Sequence, residues 1–293
     1  RRLGRHLVDD SPGHFSFGSG AQRAFFELAH QVGDVVPGPF HKILAGAASH
    51  GDAAPRRFLV NGSAGDGFGF DADDTLWHHE RFFQLTTARF VELLKPHAEA
   101  GHLVEHLHAA ERRNVKHYGF GVKGFMLSMI ETAIDVTDGR VPGSVIADVL
   151  AAGREMLRHP VEPFAGAELT LAALAPSHRL ILITRGDLFD QERKLAASGL
   201  ERYFHAVEIV SDKTAVVYER IFTRHGSGPA HAMMIGNSMR ADVVPALEAG
   251  AWGIHIPSEH VWALDLHDDP ADTTHFRRLA ELPALLPLIA EIG

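Results

Sequence analysis

At 293 residues, with 45% hydrophobic and 22% charged residues, the chain has the make-up of a globular protein able to bury one large core or two modest ones. Its formal net charge of −9, from 28 basic and 37 acidic residues with no lysine- or arginine-rich block, argues against nucleic acid as a partner, because a phosphate backbone is met by clustered cations. Cysteine is absent, which excludes disulfides, thiolate metal sites and cysteine nucleophiles.

Residues 1–66 hold ten of the 28 glycines and four prolines, in turns such as SPGHFSFGSG and NGSAGDG, and predict a loosely ordered extension. Within it Phe25, Leu28, Ala29 and Val32 recur at helical spacing. The basic N-terminus lacks a following apolar segment of signal-peptide length, and no apolar run approaches membrane-spanning length. A soluble, cytoplasmic protein that makes no membrane contact is expected.

From residue 78 to about 158 the pattern is a run of amphipathic helices. Phe83, Thr87, Phe90, Val91 and Leu94 mark one face, and Val145, Ile146, Val149, Leu150, Met156 and Leu157 mark another, with Pro160 and Pro163 closing the run. After residue 165 short apolar segments alternate with helical ones. RLILIT (179–184), AVEIVS (206–211), AMMIG (232–236) and AWGIHI (251–256) are unalternating, as strands buried on both faces are, and predict an α/β fold with a parallel sheet in βαβ units.

In such sheets the functional residues lie beyond the carboxyl ends of the strands. The segment FGF runs into Asp71 and Asp73, RLILI ends at Thr184, AVEIV leads to Lys213, and AMMI leads to Asn237 and Asp242. A carboxylate pair, a hydroxyl, an ammonium and a further carboxylate are a set able to bind a divalent metal and a phosphate. Alone, DADDT could equally be an acidic turn capping a helix. The glycines of GDGFGF precede a strand, whereas a dinucleotide fingerprint follows one.

DADDT (71–75), LILIT ending at Thr184, SDKT with Lys213, and IGNSMRAD with Asn237 and Asp242 resemble, in order and spacing, the four motifs of the haloacid dehalogenase-like superfamily. The resemblance implies a three-layer Rossmann-like parallel sheet core, residues 67–77 and 165–293, with an inserted all-helical cap over residues 78–164. It also implies a magnesium-dependent phosphatase acting on a small phosphorylated metabolite. In that reading Asp71 is the nucleophile that forms an aspartyl-phosphate, and Asp73 is the general acid and base whose backbone carbonyl ligates Mg2+. Thr184 hydrogen-bonds the phosphoryl group, Lys213 neutralises its charge, and Asp242 completes the metal site. Asn237 stands where many relatives carry a second Asp, so the site holds one charge fewer.

The physics fits that reading. A carboxylate approaching a phosphate dianion meets repulsion of roughly 8 kcal/mol at 4 Å and an effective dielectric of 20, which a metal and a lysine must offset. Two alternatives stay open: a metal-free haloalkanoate dehalogenase, against which Asp73 and Asp242 count, and a phosphate- or partner-binding module without turnover.

Overall fold

The computed structural model describes residues 67–262, 265–271 and 273–292. The extension expected over residues 1–66, with its helical face, lies outside the described residues. Six strands form one sheet: β1 (Gly67–Phe70), β2 (Arg179–Arg185), β3 (Ala206–Val210), β4 (Ala232–Gly236), β5 (Trp252–His255) and β6 (Phe276–Arg278). All neighbours run parallel in the order β3-β2-β1-β4-β5-β6. The chain winds outward from β1 to β3 on one side and from β4 to β6 on the other. The order therefore reverses between β1 and β4, where open α/β sheets leave a crevice at their strand ends. The four segments read as strands after residue 165 are β2 to β5; β6, with the sequence FRR, carries no apolar pattern and is held at the edge by its pairing with β5.

Between β1 and β2 the chain forms α1 (Glu80–Leu94), α2 (Ala100–Tyr118), α3 (Val122–Val136) and α4 (Gly143–Arg158). They share a core of their own, built from Phe90, Leu94, Leu103, Leu107, Phe125, Met129, Val145 and Val149. Leu150, expected on that inner face, is 39% exposed, because its neighbour Val149 takes the buried position. The segments entering and leaving the four helices run side by side. His78 N–H donates to Glu162 O (3.1 Å) and Phe164 N–H to Leu76 O (2.9 Å).

The remaining helices cover the two faces of the sheet. Helices α5 (Ala167–Leu174), α6 (Leu188–Ser198) and α9 (Leu285–Ile292) pack with Phe68, Phe70, Leu180 and Leu182. Helix α7 (Ala215–His225) and the short α8 (Val244–Glu248) cover Ile181, Ile183 and Met234 on the other face. The sequence GFGF of β1 follows from this division, since alternate residues of a strand face opposite layers. Its phenylalanines fill the first core, and its glycines admit the side chains of the second. A Cβ on Gly69 would lie 2.8 Å from Ile183 Cδ1 and 3.2 Å from Phe222 Cε1. Gly69→Ala is therefore expected to overpack this layer and lower stability by about 1–3 kcal/mol, read as a reduced urea midpoint.

Candidate active site

The ends of β1, β3 and β4 bring three of the expected residues into direct contact. Lys213 Nζ lies 2.5 Å from Asp71 Oδ1 and 2.7 Å from Asp242 Oδ1, and all three side chains are buried. Asp242 reaches this position from a single π-helical turn, Met239–Val243, and Ser238 N–H holds its second oxygen at 2.9 Å. Such turns are rare and cluster at functional sites. Gly236 makes the approach possible, because a Cβ there would sit 2.2 Å from Asp242 Oδ2. The other oxygen of Asp71 accepts from Thr75 Oγ1 at 2.8 Å, and Thr75 Oγ1 in turn accepts from Asn237 N–H at 3.0 Å. Thr75 thus ties the first motif to the fourth. Its signal in the sequence was the final residue of DADDT, to which no separate role was given.

Burial pushes Asp71 up to about 6, against the pull of Lys213. It is still mainly the carboxylate at neutral pH. Burial of Lys213 acts the opposite way, but the two aspartates raise it above its ordinary value and keep it cationic. The Tyr218 phenol, buried beside Asp242, stays protonated and donates to Ala241 O at 3.0 Å.

Asp73 has a different environment from the one its motif suggested. Lys194 Nζ contacts both of its oxygens at 2.6 and 2.7 Å, Trp77 Nε1 donates at 2.7 Å, and Gln191 Nε2 donates at 3.1 Å. Burial would raise Asp73, but His79 and Lys194 outweigh it and hold the carboxyl well below the usual range. Burial itself keeps His79 down at about 4, so at neutral pH the cation on Asp73 is the lysine. Gln191 and Lys194 lie three residues apart on the buried face of α6. Polar residues at apolar-face spacing on the helix after the second motif were the available signal for them.

Thr184 is buried, and Gln191 Nε2 donates to its Oγ1 at 2.5 Å, which leaves the hydroxyl proton free for another acceptor. Asp74 adopts φ 60° and accepts from His79 N–H (3.0 Å) and Glu80 N–H (2.8 Å), so it caps α1. Phe120 lines the cavity beside Arg185. Trp77 is buried on Asp73, His78 packs on Phe164, and Lys123 pairs with Asp187.

These side chains stand at one end of a cavity of about 130 Å³ between the strand ends and helices α1 to α3. The side chains at this end offer hard oxygens: the carboxylates of Asp71 and Asp242 and the amide oxygen of Asn237, 3.3 Å from Thr75 Oγ1. That set suits Mg2+. Among the described residues no group of three or more His, Cys, Asp or Glu side chains is placed to hold a metal ion.

Comparison with known proteins agrees with this architecture. The family model for haloacid dehalogenase-like hydrolases matches residues 66–250. A haloacid dehalogenase-like family hydrolase from Xanthomonas campestris is 38% identical, with a TM-score of 0.70 over 79% of this chain and 93% of that one. L-2-haloacid dehalogenase from Xanthobacter autotrophicus, 17% identical, shares the fold with a TM-score of 0.54 over 78% of this chain and 100% of that one. Among curated proteins, glyceraldehyde 3-phosphate phosphatase from Methanothermobacter thermautotrophicus is 29% identical over 106 residues, 34% of this chain and 46% of that protein. The matched part thus spans under half of that relative. The chain belongs to the haloacid dehalogenase-like hydrolases. No helix among the described residues is long and apolar enough to cross a membrane.

Two outcomes follow from the packing and charge of the site. Gly236→Ala is expected to drive Asp242 off Lys213 and lower stability by about 1–3 kcal/mol, seen as a reduced melting temperature. Glu80, at the start of α1, is pushed by burial from 4.5 up to about 8. Between those values the native state holds a proton that the unfolded chain has lost, so stability falls as pH rises through this window. Glu80→Gln should flatten that fall and raise the melting temperature at pH 8 but not at pH 4, by about 2–4 °C per kcal/mol relieved.

Proposed function

We propose that the protein is a magnesium-dependent phosphomonoester hydrolase that works through an aspartyl-phosphate on Asp71. The observation that carries this reading is Lys213 lodged between Asp71 and Asp242 at the floor of the cavity. An ammonium there offsets the repulsion between an attacking carboxylate and a phosphate dianion. The likeness to glyceraldehyde 3-phosphate phosphatase supports a phosphate ester as substrate, and the cavity suits a small one. Helices α1 to α4, residues 78–164 with their linkers, are the proposed cap over it.

Asp71 attacks phosphorus as the bond to the leaving alcohol breaks, and Asp73 gives that oxygen its proton. Water then attacks the phosphorylated Asp71, Asp73 takes the proton back, and inorganic phosphate leaves. In the structure Asp73 is ionised against Lys194. An arriving dianion raises its proton affinity and competes for the lysine, which fits a group loaded with its proton only when substrate is present. The Thr184 hydroxyl and Lys213 hold the transferring group. Asp71, Asp242, Asn237 and the Asp73 carbonyl would hold Mg2+, which when bound neutralises charge on the phosphoryl oxygens.

One observation favours dehalogenation instead: the Asp73 carboxylate is occupied by Lys194, Trp77 and Gln191, and a haloalkanoate hydrolase would not need it. Hydrolysis of p-nitrophenyl phosphate and of chloropropionate, each with and without magnesium, separates the two. The expected result is magnesium-dependent phosphatase activity alone, lowered about 10³–10⁶-fold in Asp71→Asn and about 10²–10⁴-fold in Asp73→Asn. Metal-independent release of chloride would overturn it. Restoring the missing charge with Asn237→Asp should lower the magnesium concentration for half-activity by roughly tenfold, since ligand charge sets affinity.

A further inference from the structure

The same cavity carries side chains that phosphate transfer does not use. Nine carboxylates line the cavity against three fixed cations, Arg185, Lys194 and Lys213. Six of the seven aspartates pair with a lysine or arginine, and Asp74 is held by two backbone N–H groups. Glu80 on α1 and Glu111 on α2, both half-buried, are left without an ion pair; Glu111 accepts from the Trp262 indole, and burial raises Glu80 to about 8 and Glu111 to about 7, so a bound cation is what would keep both ionised. Asp74, Glu111 and Asp265 all place like charge near Glu80, while Arg112 lies near Glu111. Arg185 does not relieve them. Asp265 holds it at 3.1 Å and Asp212 at 3.6 Å, and the Phe120 ring covers its face at 3.8 Å.

Around the two glutamates the wall is aromatic. Phe83 and Phe125 meet with ring centroids 4.9 Å apart, and Phe120 and Trp262 meet edge to face at 5.9 Å. A second, separate sign of a missing ligand is Gln191, which lines the cavity and is 3% exposed. Its Oε1 has no hydrogen-bond donor. Buried acceptors without donors are costly, and aromatic faces attract cations. Unpaired carboxylates, aromatic rings and an idle amide oxygen in one cavity call for a ligand that is positively charged and carries N–H or polarised C–H groups.

Resting on the phosphatase reading for the other end of the cavity, we infer that Glu80 and Glu111 receive an ammonium group, so that the preferred substrates are phosphomonoesters of amino alcohols. The phosphate lies at Asp71 and Lys213, and the positively charged end of the alcohol lies between α1 and α2. A neutral or an anionic alcohol supplies no positive charge to hold the two glutamates in their ionised form.

The test compares esters matched in size and differing in charge: phosphoethanolamine with propyl phosphate, and phosphocholine with dimethylbutyl phosphate, using the full chain with magnesium. The expected result is a kcat/KM at least tenfold higher for the charged member of each pair, with that ratio falling to threefold or less in Glu80→Gln and in Glu111→Gln. Equal or higher kcat/KM for the neutral members, a preference for a hydroxylated ester such as glycerol phosphate, or a ratio unchanged in both variants overturns the inference while leaving the phosphatase reading intact. Thermal shift of the Asp71→Asn protein needs no turnover. If no ester is hydrolysed but phosphoethanolamine raises the melting temperature more than propyl phosphate, the ammonium site stands and the phosphatase reading falls; equal shifts overturn the site.

Discussion

The buried contact of Lys213 with Asp71 and Asp242 is the constraint from which the rest of the site is arranged. Three charges cannot be taken out of water unless each is satisfied, and breaking such a cluster leaves an uncompensated charge at large cost. Every nearby departure from regular structure serves that requirement. The π-helical turn points Asp242 inward, Gly236 leaves room for it, Ser238 supplies an N–H to its free oxygen, and Thr75 occupies the free oxygen of Asp71. Because the three residues come from the ends of β1 and β4 and the loop after β3, the triad also pins the sheet at the point where its winding reverses.

The fold was legible where a physical period imposed itself on the sequence. Strands β2 to β5 are covered on both faces and had to be continuously apolar, so RLILIT, AVEIVS, AMMIG and AWGIHI showed their limits. Strand β6 lies at an edge and reads FRR, with nothing to distinguish it from a loop. The site was legible for the same reason: residues at the ends of recognisable strands were the ones the sheet gathers. Lys194 and Gln191 were not, because they reach the site from the middle of a helix, where sequence order says nothing about which polar residue turns inward.

Asp71 and Asp73 show how two identical residues, two positions apart, acquire opposite characters. Both are buried. Asp71 shares its lysine with Asp242, so burial prevails and its proton affinity rises; Asp73 has Lys194 on both oxygens together with an indole and an amide, so pairing prevails and its affinity falls. Environments that push two carboxyls apart are what divided roles in one reaction require. Here the division depends on α6, which follows the second motif and lies far from the first in sequence.

Asp74 gives the arrangement a mechanical side. By accepting the N–H groups of His79 and Glu80, it fastens the first turn of α1 to the loop that carries Asp71. Asp71 and Glu80 therefore belong to one short brace instead of two independently moving parts. Such a brace acts as a ruler, because the spacing from Asp71 to Glu80 is set within one run of ten residues and not by how distant helices pack.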